Sequence, residues 1–255
     1  MQLIDTFEHD GLVDAFEQRS MGASTEQRNG ELGIDHEKRD TWAAQSHQHL
    51  AAAAGVPGEE IVSIDVTTGR TTNSVSADGG LRADTIVESL GKLRAAFSAD
   101  GTVTARNSSQ ITDGAAAVIL MSDEEAAARS IRPLARIVSH APVAGSDVTL
   151  HAQPAAAILR ALEKAGRNTT ELTSVEINEA FASVSVHSSE LLGVDSAIVN
   201  PHGGAIALGH PIGASGTRIV GHLGRTLAAQ GAGNLGAAGT CGGGGQGSVT
   251  VPESL

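Results

Sequence analysis

Apolar and polar positions follow two rhythms along this chain, and the change between them falls near Arg132 and Pro133. Beyond that point short apolar runs alternate with longer amphipathic stretches. Strands are predicted over 134–139 and 174–178, helices over 153–165, 180–192 and 215–230, and a short strand over 197–199. Two further runs, 235–238 and 247–251, predict adjacent strands that close the pattern. Such alternation predicts helices on both faces of a mostly parallel sheet. Before Arg132 the pattern is looser. Residues 23–33 have helical potential with Ser24 and Thr25 as caps. Asp35 caps a clearer helix, in which Trp42, Ser46, Leu50 and the 51–54 alanine run recur at helical spacing before Gly55. His36, His47 and His49 read as decoration of that helix. A strand over 61–66, a polar loop to Gly80, a helix over 84–97, a buried strand over 113–121 and a short helix over 123–130 complete the reading.

Composition narrows the class. The 255 residues contain 31 Gly, one Trp, four Phe and no Tyr, which suits closely packed small side chains in a layered α/β protein. One cysteine cannot build a Cys/His zinc site or an internal disulfide, so no metal is expected. A net charge of -12 argues against nucleic-acid and anionic-membrane surfaces, so neither is expected as a partner. No secretory apolar segment opens the chain and no apolar run approaches a membrane span, so a cytoplasmic location is expected.

Chemistry concentrates in three strings. Residues 200–216 read NPHGGAIALGHPIGASG and set His210 in a glycine-lined turn, with Pro211 restricting it, ahead of a helix. Gly203, Gly204, Gly209, Gly213 and Gly216 are read as sites of close backbone approach. Residues 239–247, GTCGGGGQG, place Cys241 after a strand, where successive N–H groups can stabilise a thiolate or an enolate oxygen. Residues 176–182, EINEAFA, add Asn178, Glu179 and Phe181 at a strand-to-helix junction. A histidine and a thiol beside exposed backbone donors suit acyl-thioester chemistry.

Together these strings resemble the thiolases, the acetyl-CoA C-acyltransferases. The amino-terminal portion is also similar through GLVDAF at 11–16, Met21 and Gly22, GTVTA at 101–105, Asn107 and Asp113. The resemblance implies a thiolase-like α/β fold: a loop-domain-like region over 1–97, the end of a first core half over 98–130, and a nearly complete second core half over 131–255. It further implies that the usual amino-terminal portion, which bears the acyl-accepting cysteine, is missing, so that only part of the first core half is present.

By the same resemblance, Cys241 acts as base and acid at the substrate carbon, and His210 with an Asn178-bound water forms an oxyanion hole. The Gly243 N–H contributes a second oxyanion hole, Glu179 supports the site, and Met21, Ser139 and Phe181 line the substrate channel. No permanently bound cofactor is expected; coenzyme A is substrate or product. The implied reaction interconverts two acyl-CoA molecules with 3-ketoacyl-CoA and CoA, within homo- or hetero-oligomers. With one cysteine, the isolated chain is expected to be incomplete and to require an amino-half thiolase partner. The alternative is an inactive thiolase-derived fragment or noncatalytic interaction subunit. Ser20, at a place often held by histidine in the family, Arg106, Thr240 and Gly242 depart from its pattern.

Overall fold

The computed structural model describes residues 3–53 and 56–255. Its amino-terminal region is organised by hydrogen-bonded turns and helices more than by a large apolar core. Helix α1 (Met21–Leu32) starts where Ser20 Oγ accepts from the Ala23 N–H at 3.1 Å. Ser20 is therefore the cap; the expected caps, Ser24 and Thr25, lie buried within the helix. Helix α2 (His36–Ala52) is capped by Asp35, whose Oδ1 accepts from the Lys38 N–H at 2.8 Å. Ala54 and Gly55, expected at its end, lie outside the described residues. His47, expected on the surface, is buried, and its Nδ1 accepts from the Arg82 N–H at 3.2 Å.

Strands β1 (Ile64–Thr68) and β2 (Thr71–Val75) form an exposed antiparallel hairpin, so the strand expected over 61–66 starts later. The helix expected over 84–97 contracts to α3 (Val87–Leu90), of which only Leu90 is buried. Phe97 leaves it to stand edge-on to Phe181, with ring centroids 6.0 Å apart. The buried strand expected over 113–121 is neither buried nor a strand: the segment pairs with no neighbour in a sheet, and Ile119 and Leu120 are 86% and 70% exposed. A short apolar run alone does not decide whether a segment is buried. Helix α4 (Asp123–Ala128) follows, capped by Ser122.

Polar ties hold this region together. Glu26 accepts from the Thr102 and Val103 N–H groups at 2.8 and 2.7 Å, and Asp40 accepts from Asn107 Nδ2 at 2.9 Å. Asn107 in turn offers its carbonyl to the Ala182 N–H, which joins the region to the second half.

The second half is built on strand β3 (Ala135–Ala144), helix α5 (Gln153–Ala165), strand β4 (Leu172–Ile177), helices α6 (Ala182–Leu192), α7 (Ala205–Leu208) and α8 (Ser215–Gln230), and strands β5 (Leu235–Gly242) and β6 (Gln246–Ser254). The sheet order is β3-β6-β5-β4. Only β4 and β5 run parallel; β6 is antiparallel to both β3 and β5, so the expected mostly parallel sheet is mixed. The tight turn between β5 and β6 dictates this, because parallel neighbours need a long crossover. The strand expected over 197–199 is a 3-10 turn, Ser196–Ile198, followed by a single parallel bridge from Val199 to Val175.

Helices cover both faces of the sheet as expected. Ile158, Ala161 and Leu162 of α5 join the core with Ala237, whereas Ile219, Leu223 and Leu227 of α8 pack with Ala238. The period-two alternation of β5 sends neighbouring residues to opposite helices. Each buried Leu or Ile contributes about 1.5–3 kcal/mol. Helix α6, packed between α5 and α2, is buried on most sides, which its run of Ala, Ser and Val permits. Among the described residues, no helix is long and apolar enough to cross a membrane.

Candidate active site

The site lies at the carboxyl ends of the parallel strands β4 and β5, where the chain leaves each strand for a loop or turn. Asn178 follows β4 directly, and its N–H donates to the Gly239 carbonyl of β5 at 3.0 Å. Cys241 lies two residues further along β5, paired with Gly247 across the hairpin. Both positions therefore share one edge of the sheet.

His210 reaches that edge from the loop between α7 and α8. Gly209 takes φ +95°, and a Cβ there would collide with the Thr112 side chain, so only glycine fits the approach. Gly204 likewise leaves no room between backbone and the Glu179 carboxylate. Gly213 and Gly216, read as close-approach sites, face open space instead. The His210 N–H donates to the Gln110 carbonyl at 2.9 Å, which fastens the loop to the first region.

The ring is held at both nitrogens. Ser215 Oγ donates to the Pro211 carbonyl at 3.0 Å, so its lone pair accepts from His210 Nδ1–H at 2.6 Å. That leaves Nε2 unprotonated, and it accepts from Asn178 Nδ2 at 3.3 Å. Burial, and after it the Arg218 charge, push the His210 pKa down to about 4, so the imidazole is neutral near pH 7. Asn178 is itself buried, and its Oδ1 has no hydrogen-bond partner among the described residues. An unpaired buried carbonyl oxygen beside a neutral imidazole is a place where a water or a ligand donor fits.

Cys241 is part-buried against the main core, as are Met21 and Phe181. Burial pushes its thiol up to about 12, so it rests as S–H. Past Cys241 the turn over 243–245 doubles back, with Gly244 and Gly245 at positive φ. Met21 Sδ lies 3.5 Å from where a Cβ of Gly243 would stand, which places Met21 against this turn. Phe181 caps α6 and bridges to Ser108. Ser139 is buried in β3 opposite Val251, four residues along from Val143, which shares the row of Gly247 and Cys241. At roughly 3.3 Å per residue it lies about 13 Å along the sheet from that row, in the sheet interior.

Glu179 is fully buried and ties its own turn to α2, the Asn200 loop and α7. Its carboxylate accepts from Trp42 Nε1 (2.9 Å), Ser46 Oγ (2.7 Å), Asn200 Nδ2 (3.0 Å) and the Ile206 N–H (2.9 Å). Asn200 also clasps β4, accepting from the Ile177 N–H and donating to its carbonyl. Sequence reasoning did not assign Ser215, Asn200, Ser46 or Trp42 to the site. Ser215 carried a usable signal, a serine in the first turn of the helix that follows His210; the others converge only through the fold. Among the described residues, no cluster of three or more His, Cys, Asp or Glu could hold a metal ion.

The chain belongs to the thiolase family. Residues 131–254 match the family model described as the thiolase C-terminal domain, and residues 1–124 match the thiolase N-terminal domain. The chain is 47% identical over 252 residues to a protein of Mycolicibacterium smegmatis named probable acetyl-CoA acetyltransferase, covering 98% of this chain and 65% of that protein. Against the protein of the same name from Mycobacterium tuberculosis it is 46% identical, over 98% of this chain and 64% of the relative. Among solved structures, the Bacillus anthracis acetyl-CoA acetyltransferase superposes over all of this chain and 66% of its own, with TM-score 0.94 and 34% identity. Human mitochondrial 3-ketoacyl-CoA thiolase in complex with CoA gives TM-score 0.89 and 37% identity over 96% of this chain and 61% of its own. The chain thus spans about two-thirds of the length of these relatives.

These matches correct one group of expectations. The amino-terminal portion was expected to be missing, with only part of a first core half present; the N-terminal domain match over 1–124 shows both thiolase domains represented. The expectations of an incomplete enzyme, of a function requiring a missing half, and of an amino-half partner rested on that premise and fall with it. The premise came from the family resemblance, reinforced by the single cysteine, and one residue type does not report which backbone elements are present.

Proposed function

We propose that this chain performs thiolase-type acyl transfer, interconverting two acetyl-CoA molecules with acetoacetyl-CoA and CoA. The observation that carries this reading is the two-point hold on a neutral His210 whose Nε2 faces Asn178 at the strand ends shared with Cys241. The names of the relatives and the CoA complex of the human thiolase support the substrate class.

In the cleavage direction the CoA thiol adds to the ketone carbon of acetoacetyl-CoA, its proton ending on the Cys241 sulfur in place of the one donated below, and the carbon–carbon bond breaks. The electron pair passes into the enolate of the departing acetyl thioester, and Cys241 S–H supplies the proton that converts its α-carbon to a methyl group. Synthesis runs the same steps backwards, with the Cys241 sulfur removing that proton. A thiol held at about 12 rests in the proton-donating form. The enolate oxygen needs donors, which a water shared by Asn178 and His210 provides; N–H groups of the turn at Gly243 serve the other thioester oxygen. Met21 and Phe181 line the approach, and Glu179 holds the loops in place. Ser139, four residues along β3 from the Cys241 row, is left out of the site.

The test is acetoacetyl-CoA thiolysis by the purified chain, with His210→Asn and Cys241→Ser alongside. Each variant is expected to lose about 10²–10⁴-fold in kcat. Turnover undiminished in both variants, or no turnover by the parent chain, overturns the reading. Intact-mass measurement after exposure to acetyl-CoA is expected to show no acetyl group on Cys241, because a protonated thiol is a poor nucleophile. Stoichiometric acetylation there would make Cys241 the acyl acceptor instead of the proton carrier.

A further inference from the structure

Arg218 stands where helix physics argues against it. It is the fourth residue of α8, so a cation occupies the positive end of the helix macrodipole. Burial also pulls its pKa below the ordinary value for arginine. Three carboxylates compensate: Asp78 from the polar loop, Glu176 from β4 and Glu179 from the β4–α6 turn. A residue that breaks a local rule and is compensated from three elements marks a function of its own position.

That position is behind His210. Arg218 Nη1 donates to the Gly209 carbonyl at 2.9 Å, one residue before the imidazole. Ser215 and Arg218 stand three residues apart in the first turn of α8 and so share a face. The same turn thereby grips the ring through Ser215 and the preceding carbonyl through Arg218. Gly209 takes φ +95° against the Thr112 side chain, and the Arg218 bond fixes the direction of its carbonyl.

We propose that Arg218 is a positioning residue, whose guanidinium holds the Gly209 carbonyl so that His210 Nε2 stays aimed at Asn178. Its charge has a second effect, opposing protonation of the ring. Among the described residues, Arg218 is the charged group that acts on His210; those facing Arg218 are Asp78, Glu176 and Glu179, with Glu60 and His222 further out beside Glu176. The inference rests on reading His210 as a reacting group, and its test is separable from that reading.

Protein labelled with 13C and 15N in histidine reports the His210 ring directly, with His210→Asn assigning its signal. Three variants divide the role: Arg218→Met removes charge and donor, Arg218→Lys keeps the charge, and Arg218→Gln keeps an N–H donor. In Arg218→Met the ring signal is expected to shift and its titration midpoint to rise. Thiolysis is expected to fall about 10–100-fold in kcat, with KM within about twofold, the scale of a small misplacement. Arg218→Lys should restore the low titration, and Arg218→Gln should restore part of kcat while titrating high. An unmoved ring signal and titration in a folded Arg218→Met protein overturns the proposal, whatever the activity. If that variant fails to fold, the Lys and Gln variants decide: both titrating and turning over as the parent overturns it. If the parent shows no thiolysis, the ring measurements still test the hold on His210.

Discussion

The two regions of this molecule are held by different forces. Residues 131–255 bury aliphatic side chains between α5, the sheet and α8, as at Ile158, Leu162, Leu223 and Leu227. Residues 3–130 depend on charged and amide groups, with Glu26, Asp40, Asn107 and a buried Arg39 at the junctions. They leave apolar residues such as Ile119 in water. The difference bears on where the proposed reacting groups sit. His210, Asn178 and Cys241 all come from the region with a firm apolar core, whereas the first region supplies Met21, Trp42 and Ser46 around them. A precise site needs rigid support, and the aliphatic half provides it.

The largest expected effect targets the seam. Glu179→Ala removes one acceptor from four buried donors on both regions, and should cost about 4 kcal/mol or more. Urea unfolding measures it, and a loss under about 1 kcal/mol would mean the regions are joined elsewhere. Next, Leu223→Ala should cost about 2–5 kcal/mol through the cavity it leaves. Leu120→Ala, in the exposed segment, should stay within about 0.5 kcal/mol. Equal costs for the two would erase the contrast between core and surface.

A further effect is a pH dependence. His210 and His151 titrate at about 4 and about 3 when folded, below the ordinary 6.5. Their contribution is present above pH 6.5 and is lost as pH falls through those values, because the unfolded chain binds the protons first. Glu176 is raised by burial to about 7, above its ordinary 4.5, so its contribution is present below pH 4.5 and lost as pH rises through about 7. Between pH 4.5 and 6.5 the two histidines outweigh one carboxyl, and stability should rise with pH. Glu176→Gln removes the opposing slope, so urea midpoints at pH 5 and 6.5 should separate further than in the parent. Midpoints drawing closer would contradict the assignment.

Much of the aliphatic half was legible from the sequence. The helices over 153–165 and 215–230 carry a clear apolar stripe and have the observed bounds, because burial on one face dictates their period. Strand direction was not legible, since alternation records which face is buried but not the sense of a neighbour; β6 runs against the expected parallel order. The first region misled more often. Ser24 and Thr25 look like caps but Ser20 serves, and the 113–121 run looks buried but is exposed. Within the site, the approach of His210 to Asn178 is a fact of folding that spacing alone does not contain. The hold by Ser215 lies only five residues away, and Glu179's partners are spread from Trp42 to Ile206.

Helix α8 is a single stiff rod with two loads. Its opening turn clasps the imidazole, and its flank beds Leu223 and Leu227 on the back of the sheet. A volume change under the middle of the rod would tilt its tip, so conservative swaps at Leu227, remote from any substrate, should retune the His210–Asn178 spacing as a lever does.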